Sequence, residues 1–441
     1  MENDGRFYEL QDREQPRLFA PSLRQAVGED REVLVLDEAV ARLDFSGMET
    51  GYRRVGHPAY HPTVMLKVLL FGYAHGLRSS RELARACRKD DDYRFLAHGL
   101  APDFRTICRF RREQAAHLKE LFTQTVRLCQ QAGLVSLGHV AIDGTKLRAN
   151  RSFEAQGLLA KALEEAEIAD ADIVTEESRF MKTAAGVKPA YNGQLAVDAS
   201  HQVIVAQEVV TAQTDVAQLQ EMVEQVQENC AAAPAAVSAD GGYYNQAAIA
   251  ALQHSTQLHV PSPQTGAEAL EWVESEQAYR CPMGHWLKPY RKRAGKQIYR
   301  THHCTGCEHA KACKVTGRFK ELHICTAARQ ALEDLKKRLQ TATGRAIYAA
   351  RKQLVELLFA HFKHNWGFRR LLLSGCRKAG AEWSLLCIAH NLRKWMKYGY
   401  NGSNTSAVAR LISHQCSIIL RMMYLHRYYR LRVIEELVFE P

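Results

Sequence analysis

The sequence contains no hydrophobic run long enough to cross a membrane. Its most apolar stretch, VMLKVLLFGYAHGL at residues 64–77, includes Lys67 and is shorter than the roughly 20 residues that a spanning helix needs. The N-terminal stretch MENDGRFYELQDREQPR is polar and mixed in charge, unlike a signal peptide. We therefore expect no membrane partner, a cytoplasmic location, and a core helix over residues 64–77.

The sequence also has too few acidic residues to balance the basic ones. It carries 59 Lys and Arg against 48 Asp and Glu, a formal net charge of +11. From Arg351 onward there are 15 Lys and Arg against 5 Asp and Glu. A basic excess of this kind favours an anionic partner, and nucleic acid fits it better than a small acidic metabolite.

Twelve cysteines are present, and a cytoplasmic chain would keep them reduced. Four of them are close together in YRCPMGHWL and THHCTGCEHAKACK, namely Cys281, Cys304, Cys307 and Cys313. This spacing predicts a tetrahedral structural zinc site that stabilises a small module lacking its own core. Nearby histidines could replace one ligand, and the alternative is chance clustering of reduced thiols.

Changes in hydrophobic period divide the chain into five regions. Residues 1–135 have helical patterns, whereas residues 136–263 contain three strand-like runs followed by alternating helices and strands. A cysteine-containing insert covers 264–330, and helices return over 331–400. Residues 401–441 form a basic tail of helical character. This order predicts an α/β fold with a mixed sheet behind an all-α N-terminal domain.

The N-terminal helices carry basic outer faces, in RSSRELARACRK and RFRRE. Helices are predicted to start at Pro62, at Ser79 or Ser80, and after Asp103 as N-cap. Basic faces on short helices suit a helix-turn-helix-like DNA-binding unit, and a helical bundle with solvated basic faces is the alternative.

Two aspartates stand in matching positions, in HVAIDGTKLRAN and AVSADGGYYN. Asp143 and Asp240 each follow a strand and precede a glycine, so we expect both carboxylates at one edge of the sheet. Two carboxylates that close repel each other unless a cation lies between them, and oxygen ligands suit Mg²⁺ or Mn²⁺. For either residue alone, a simple turn is the alternative.

A third acid occurs on a predicted helix, in RAIYAARKQLVELLFAHFKHN. Val355, Leu358, Phe359 and Phe362 make a buried stripe, and Glu356 borders it. At α-helical spacing, Glu356 shares a face with Arg345, Lys352 and Lys363, so it could bind a metal while its basic neighbours hold phosphates. The alternative is an ordinary surface pair of Lys352 and Glu356. Three such acids would suit phosphodiester cleavage and strand transfer with two divalent ions.

These motifs together resemble bacterial insertion-sequence transposases of the DDE class, over roughly residues 15–397. The resemblance rests on several segments: HPAYHPTVMLKVLLFGYAHGLRSSRELARACRKD, AIDGTKLRAN, PAYNGQLAVDASHQVIVAQEVV, SADGGYY, RKQLVELLFAHFK and GFRRLLLSGCRKAGAEWSLLCIAHNLRK. It implies a ribonuclease H-like core, a helical N-terminal DNA-binding domain and a zinc-binding insert. It also implies binding of the terminal inverted repeats and of target DNA at the nucleoid, with a homodimer or higher assembly pairing two ends.

By position, the resemblance makes Asp143, Asp240 and Glu356 the catalytic triad and metal ligands. Tyr348, Arg351 and Lys363 match the basic part of the same signature, and Lys146 is predicted to hold a DNA phosphate. The chain departs from its relatives in VELLFAHFK, which lacks their proline and glycine. Glu382, in GAEWSLL, is the competing third acid.

Three functions compete on this basis. The first is a metal-dependent transposase that cleaves and joins its element's ends. The second is a catalytically impaired DNA-binding derivative of that fold, favoured by the VELLFA departure. The third is a metal-dependent nuclease that hydrolyses DNA without joining it.

Overall fold

The computed structural model describes residues 22–400, except 30–31, 51, 53–58, 151–177, 184–185, 264–269, 310–312 and 314–318. A charged helical segment is expected from the sequence between residues 148 and 189. Residues 151–177 of it, and the basic tail over 401–441, lie outside the described residues, whereas residues 179–183 form a strand, so the helical prediction is wrong there. None of the described helices is long and apolar enough to cross a bilayer.

The N-terminal region is helical, as predicted. Its helices are α1 (Leu23–Val27), α2 (Glu32–Ala41), α3 (Ser46–Glu49), α4 (Pro62–Ala74), α5 (Ser80–Lys89), α6 (Asp91–Leu96), α7 (Phe104–Glu113) and α8 (Ala115–Gln131). Asp103 caps α7 as expected, because its carboxylate accepts the amides of Arg105 and Thr106. Helix α4 is buried along nearly its whole length, which confirms the core helix.

The central sheet is mixed, with β1 in its middle. Its members are β1 (Val140–Arg148), β2 (Arg179–Thr183), β3 (Gly186–Asp198), β4 (Ile204–Val210), β5 (Ala236–Ser238) and β6 (Gln257–His259). Strand β3 is antiparallel to β1, and its other edge is shared by β2 and β4. On the opposite side of β1, β5 and β6 run parallel to it. Helices α9 (Gln218–Cys230) and α10 (Gln246–Leu252) connect these strands, as the alternating pattern predicted.

The prediction that β1 ends at Asp143 is wrong. The strand continues to Arg148, and Asp143 pairs with Leu195 in the middle of the antiparallel ladder with β3. What ends near Asp143 is the parallel pairing with β5, which covers only Val140 and Ala141. Strand β5 ends at Ser238, so it no longer pairs with β1 at the level of Asp143, and the carboxylate is accommodated there.

A second, five-stranded antiparallel sheet occupies the cysteine-containing region, which had no strand prediction. It is a meander of β7 (Glu271–Val273), β8 (Ala278–Arg280), β9 (Trp286–Arg293), β10 (Lys296–Thr301) and β11 (Lys320–Cys325). Gln246 of α10 anchors it to the central layer: its amide donates to the carbonyl of His323 and its oxygen accepts the amide of Cys325.

The last region is helical, and one of its helices contains two wider turns. Helix α11 (Arg329–Gln340) precedes α12 (Ala342–Arg351), a π-helical turn (Lys352–Glu356), α13 (Leu357–Ala360), a second π-helical turn (His361–Asn365) and α14 (Cys376–Lys394). The stripe of Val355, Leu358, Phe359 and Phe362 is buried as predicted. The sequence pattern of residues 370–397 predicts an amphipathic region, and this is wrong for α14, because residues 381–392 are buried without interruption. It packs against α4 and α8 on one side and β4 on the other.

Candidate active site

Asp143 on β1 and Asp240 just after β5 lie at the same level of the sheet. Strands β1 and β5 are paired in parallel, with Val140 opposite Val237 and Ala141 opposite Ser238. Two residues further along both segments, this register brings Asp143 level with Asp240. Burial raises the pKa of Asp143, and the charge of Asp240 adds to the rise. The two acids therefore face the same edge of the sheet.

Asp143 is largely buried and holds two hydrogen bonds. Its Oδ2 accepts Nη1 of Arg351 at 2.8 Å, and its Oδ1 accepts the amide of Gly144 at 2.8 Å. Burial raises its pKa to about 6, although Arg351 and the Gly144 amide act in the opposite direction. The charges of Asp240 and Asp215 add to the rise. The site thus disfavours a second negative charge unless a cation is supplied.

Asp215 is a member of this cluster that sequence reasoning missed. It stands in TDVAQLQ, where it resembles a helix cap, but α9 begins only at Gln218. Its Oδ1 accepts Nδ2 of Asn192 at 2.5 Å and Nε2 of Gln194 at 2.7 Å. It lies five residues after the end of β4, and no local sequence signal connects it to the other acids.

Gly144 allows these side chains to approach β1. A Cβ at this position would lie 2.6 Å from Nε2 of Gln194 and 3.0 Å from Oδ1 of both Asn192 and Asp215. The amide oxygen of fully buried Asn192 has no hydrogen-bond partner among the described residues. The Asp-Gly pair is thus a packing requirement of the site, and no turn forms there.

Three cations converge on the acids. Nζ of Lys146 is buried 3.5 Å from Oδ1 of Asp215, and Arg351 pairs with Asp143. Nζ of Lys363 donates to the hydroxyl of Thr145 at 2.5 Å, and burial lowers its pKa against the opposing charge of Asp143. All three residues were predicted to bind DNA phosphates. In this structure they contact side chains of the site.

Tyr348, the fourth predicted DNA-binding residue, lies beside Arg351, whose guanidinium is 5.7 Å from the centre of the ring. The same tyrosine lines an apolar cavity of about 240 Å³ together with Tyr244, Pro261 and Leu335. The cavity adjoins the turn that follows Asp240.

Glu356 lies in the first π-helical turn, which packs against β1 and β3. It is exposed, and it makes no ion pair or hydrogen bond with any described residue. The face that it was expected to share with Lys363 assumed uniform α-helical spacing, which the two π-helical turns interrupt. Its role as third acid stays a prediction.

Glu382, the competing third acid, lies elsewhere and is fully buried. Its Oε1 accepts the hydroxyl of Tyr73 at 3.2 Å, and its Oε2 accepts the amides of Leu372 and Leu373 at 2.6 and 2.8 Å. Burial raises its pKa, while Arg111 acts to lower it. These bonds connect α4 to the segment preceding α14, which is a structural use of the carboxylate.

The four predicted zinc ligands line one small cavity of about 30 Å³, also bordered by His285, His303 and His309. Burial raises the pKa of Cys304, and the other three thiols add to the rise. In the part of the chain that the structure describes, however, no three His, Cys, Asp or Glu side chains are arranged to hold a metal ion. This applies to the cysteines and to the aspartates alike.

Two family models match the chain, and both describe transposases. A transposase DDE domain matches residues 280–396, and a transposase domain known as DUF772 matches residues 21–113. The first spans the helices with Arg351, Glu356 and Lys363; the second spans the helical N-terminal region. Both matches support an insertion-sequence transposase of the DDE type. A match to a transposase DDE domain implies, in general terms, nuclease and transposition activity.

No curated protein matches the chain. Among solved structures, a piggyBac transposase synaptic complex with hairpin DNA is similar at 9% identity, over 88% of this chain and 86% of that one. The TM-score is 0.27. A likeness this distant carries no argument about the site.

Proposed function

We propose that the protein cleaves and joins the ends of its insertion sequence by phosphodiester hydrolysis and strand transfer with two divalent ions, Mg²⁺ or Mn²⁺. The level placement of Asp143 and Asp240 carries the proposal. Both are oxygen donors, and burial raises the pKa of Asp143 to about 6, so a bound cation would favour its ionised form. Asp143, Asp240 and Glu356 would hold the ions. Bound there, the ions would activate the attacking hydroxyl and stabilise the leaving oxygen.

The chain's own residues would orient the reactants. Lys146, Arg351 and Lys363 surround the acids, so a phosphodiester at this edge would meet three cations. Asp215 is a positioning residue, because its carboxylate contacts Lys146 and accepts the side-chain amides of Asn192 and Gln194 on β3. The strand order β4-β3-β1-β5-β6, antiparallel on one side of β1 and parallel on the other, supports a ribonuclease H-like core.

The insert would bind a structural Zn²⁺ through Cys281, Cys304, Cys307 and Cys313. Their convergence on one small cavity supports this, because thiolate donors suit zinc.

DNA would be bound first by the N-terminal helices. Exposed basic residues line α5 and α7, namely Arg81, Arg85, Arg88, Lys89, Arg105, Arg109 and Arg112. Arg78 and Arg111 are excluded from this surface because their guanidinium groups bind the protein interior. We propose that these helices recognise the terminal repeats, that a homodimer pairs two ends, and that the complex works in the cytoplasm at the nucleoid.

One observation favours a second candidate, a catalytically impaired DNA-binding protein. Arg351 already pairs with Asp143, whereas Glu356 makes no ion pair or hydrogen bond with a described residue. In vitro cleavage of duplexes carrying the element's terminal repeats, with Mg²⁺ or Mn²⁺, separates the candidates. The parent should nick and join DNA, Asp143→Ala and Glu356→Ala should not, and the exposed control Glu276→Ala should match the parent. Salt-sensitive binding without cleavage would support the impaired derivative. Cleavage without joined products would support a nuclease.

A further inference from the structure

The β9–β10 hairpin presents a basic surface that no part of the proposed site uses. Residues 288–296 are exposed without interruption. Five of these nine residues are cations and none is acidic: Lys288, Arg291, Lys292, Arg293 and Lys296. None of the five forms an ion pair with a described residue, whereas Arg300 at the base pairs with Glu321. The charge of the hairpin tip is therefore uncompensated within the described protein.

The pairing register places like charges directly opposite each other. Lys296 pairs with Arg293 across the strands, and Arg300 pairs with Lys288. Opposed like charges destabilise an antiparallel pair. A row of phosphates along the hairpin would remove this repulsion, so the register itself favours a polyanionic ligand.

A β-bulge displays an aromatic ring among these cations. Ile298 pairs with Arg291 and Tyr299 with Pro289, which leaves Tyr290 as the extra residue of β9. Its side chain is 52% exposed, and the guanidinium of Arg300 is 3.6 Å from the ring centre. Arg300 thus holds an exposed ring between basic neighbours, a combination suited to nucleic acid.

The hairpin is also fixed to the catalytic layer. Strand β10 pairs with β11. The side chain of Gln246, on α10, makes two hydrogen bonds to the backbone of β11. Helix α10 begins six residues after Asp240. A ligand on the hairpin would therefore keep a defined position relative to the acids.

We infer that the β9–β10 hairpin is a second DNA-binding element, a basic β-ribbon that contacts the phosphate backbone of duplex DNA next to the cleavage edge. Charge complementarity selects this occupant, and a two-stranded ribbon has the width that a major groove admits. The inference rests on the proposed function only in that the chain handles DNA. The competing explanation is that the cations merely protect an exposed strand edge from pairing with other chains.

The test uses the full chain and the salt dependence of its affinity for duplex DNA, measured by fluorescence anisotropy. Terminal-repeat and scrambled duplexes of equal length serve as probes. The hairpin variant combines Arg291→Gln, Lys292→Gln and Arg293→Gln; the matched control combines Arg24→Gln, Lys119→Gln and Arg127→Gln, exposed cations on α1 and α8. Thermal melting verifies that both fold like the parent.

The hairpin variant should bind both duplexes at least about tenfold more weakly near 0.1 M salt. Its slope of log affinity against log salt should fall by about 2.7, since each lost phosphate contact removes about 0.9. The control should keep the parent's slope. An unchanged slope in the hairpin variant, above all with increased aggregation, overturns the inference in favour of edge protection. If the parent binds but does not cleave while the hairpin variant loses affinity, the proposed function fails and the inference stands.

Discussion

Arg351 donates a 2.8 Å hydrogen bond to Asp143, and both side chains are largely buried. The pKa of Asp143 is about 6, because burial outweighs the favourable charge of this arginine. Arg351→Ala should raise the pKa of Asp143 further, so Mg²⁺-dependent cleavage should require higher pH than in the parent. The acid limb of the pH–rate profile measures this. Arg345→Ala, at an exposed position of the same helix, should leave the profile unchanged, and an unshifted profile for both would contradict the role of the pair.

Asp215→Asn should reduce cleavage by about 10- to 100-fold, the usual effect of removing a group that orients metal ligands. The substitution removes the charge beside Lys146 and weakens the acceptor for Asn192 and Gln194. Single-turnover cleavage at several Mg²⁺ concentrations should show a lower rate. It should also show weaker Mg²⁺ binding, so that half-maximal cleavage needs a higher Mg²⁺ concentration. Asp334→Asn, exposed on α11, is the control. Parent-like metal dependence in Asp215→Asn would rule out the positioning role.

Glu382→Ala should lower the free energy of unfolding by about 3–5 kcal/mol, because it leaves Arg111 buried without its negative neighbour. Tyr73 connects the two groups: its hydroxyl donates to Glu382 and accepts from Arg111. Chemical denaturation measures the change, with exposed Glu276→Ala as control. A stable Glu382→Ala variant that had nonetheless lost cleavage would instead restore Glu382 as the third acid.

Purified protein should contain one zinc per chain, and Cys304→Ser should lose it. Removal of one thiolate from a four-cysteine site weakens binding strongly and destabilises the module that the metal holds together. Metal analysis and melting curves with and without chelator measure both effects. Cys108→Ser, outside the cluster, should keep the metal. Zinc-free parent protein that melts normally would show that the cysteines are only clustered.

His390 should make the protein less stable in acid. Burial lowers its pKa from 6.5 to about 3, and its Nε2 donates to the carbonyl of Gln202. Between these values only the unfolded chain binds the proton, so stability falls as pH drops below about 6.5, by up to about 1.4 kcal/mol per pH unit. His390→Gln should flatten the dependence of unfolding free energy on pH relative to the parent. Exposed His254→Gln should not, and equal slopes for all three proteins would contradict the assignment.

Much of the fold follows from local pattern. Apolar periodicity and caps located α4, α7 and α10, and β-forming runs located the strands of the central sheet other than β2. The matching sequence contexts of Asp143 and Asp240 predicted one common edge, although β1 continues past Asp143 to Arg148. Strands β7–β11 were missed, because their short, charged segments show no clear alternation against a core.

Tertiary structure decided the rest of the site. Asp215 joined the cluster because β3 and the segment after β4 bring distant residues against Gly144, a contact that local sequence does not encode. The α-helical spacing expected between Glu356 and Lys363 is interrupted by two π-helical turns, and π-turns have no simple sequence signature. Glu382 became structural because α14 is buried between the helical region and the sheet. The sequence by itself determined the residue types, the order of elements and the meeting of two acids, since those depend on short-range periodicity. Tertiary packing determined that Asp215 joins these two acids, and that Lys146, Arg351 and Lys363 are the cations beside them.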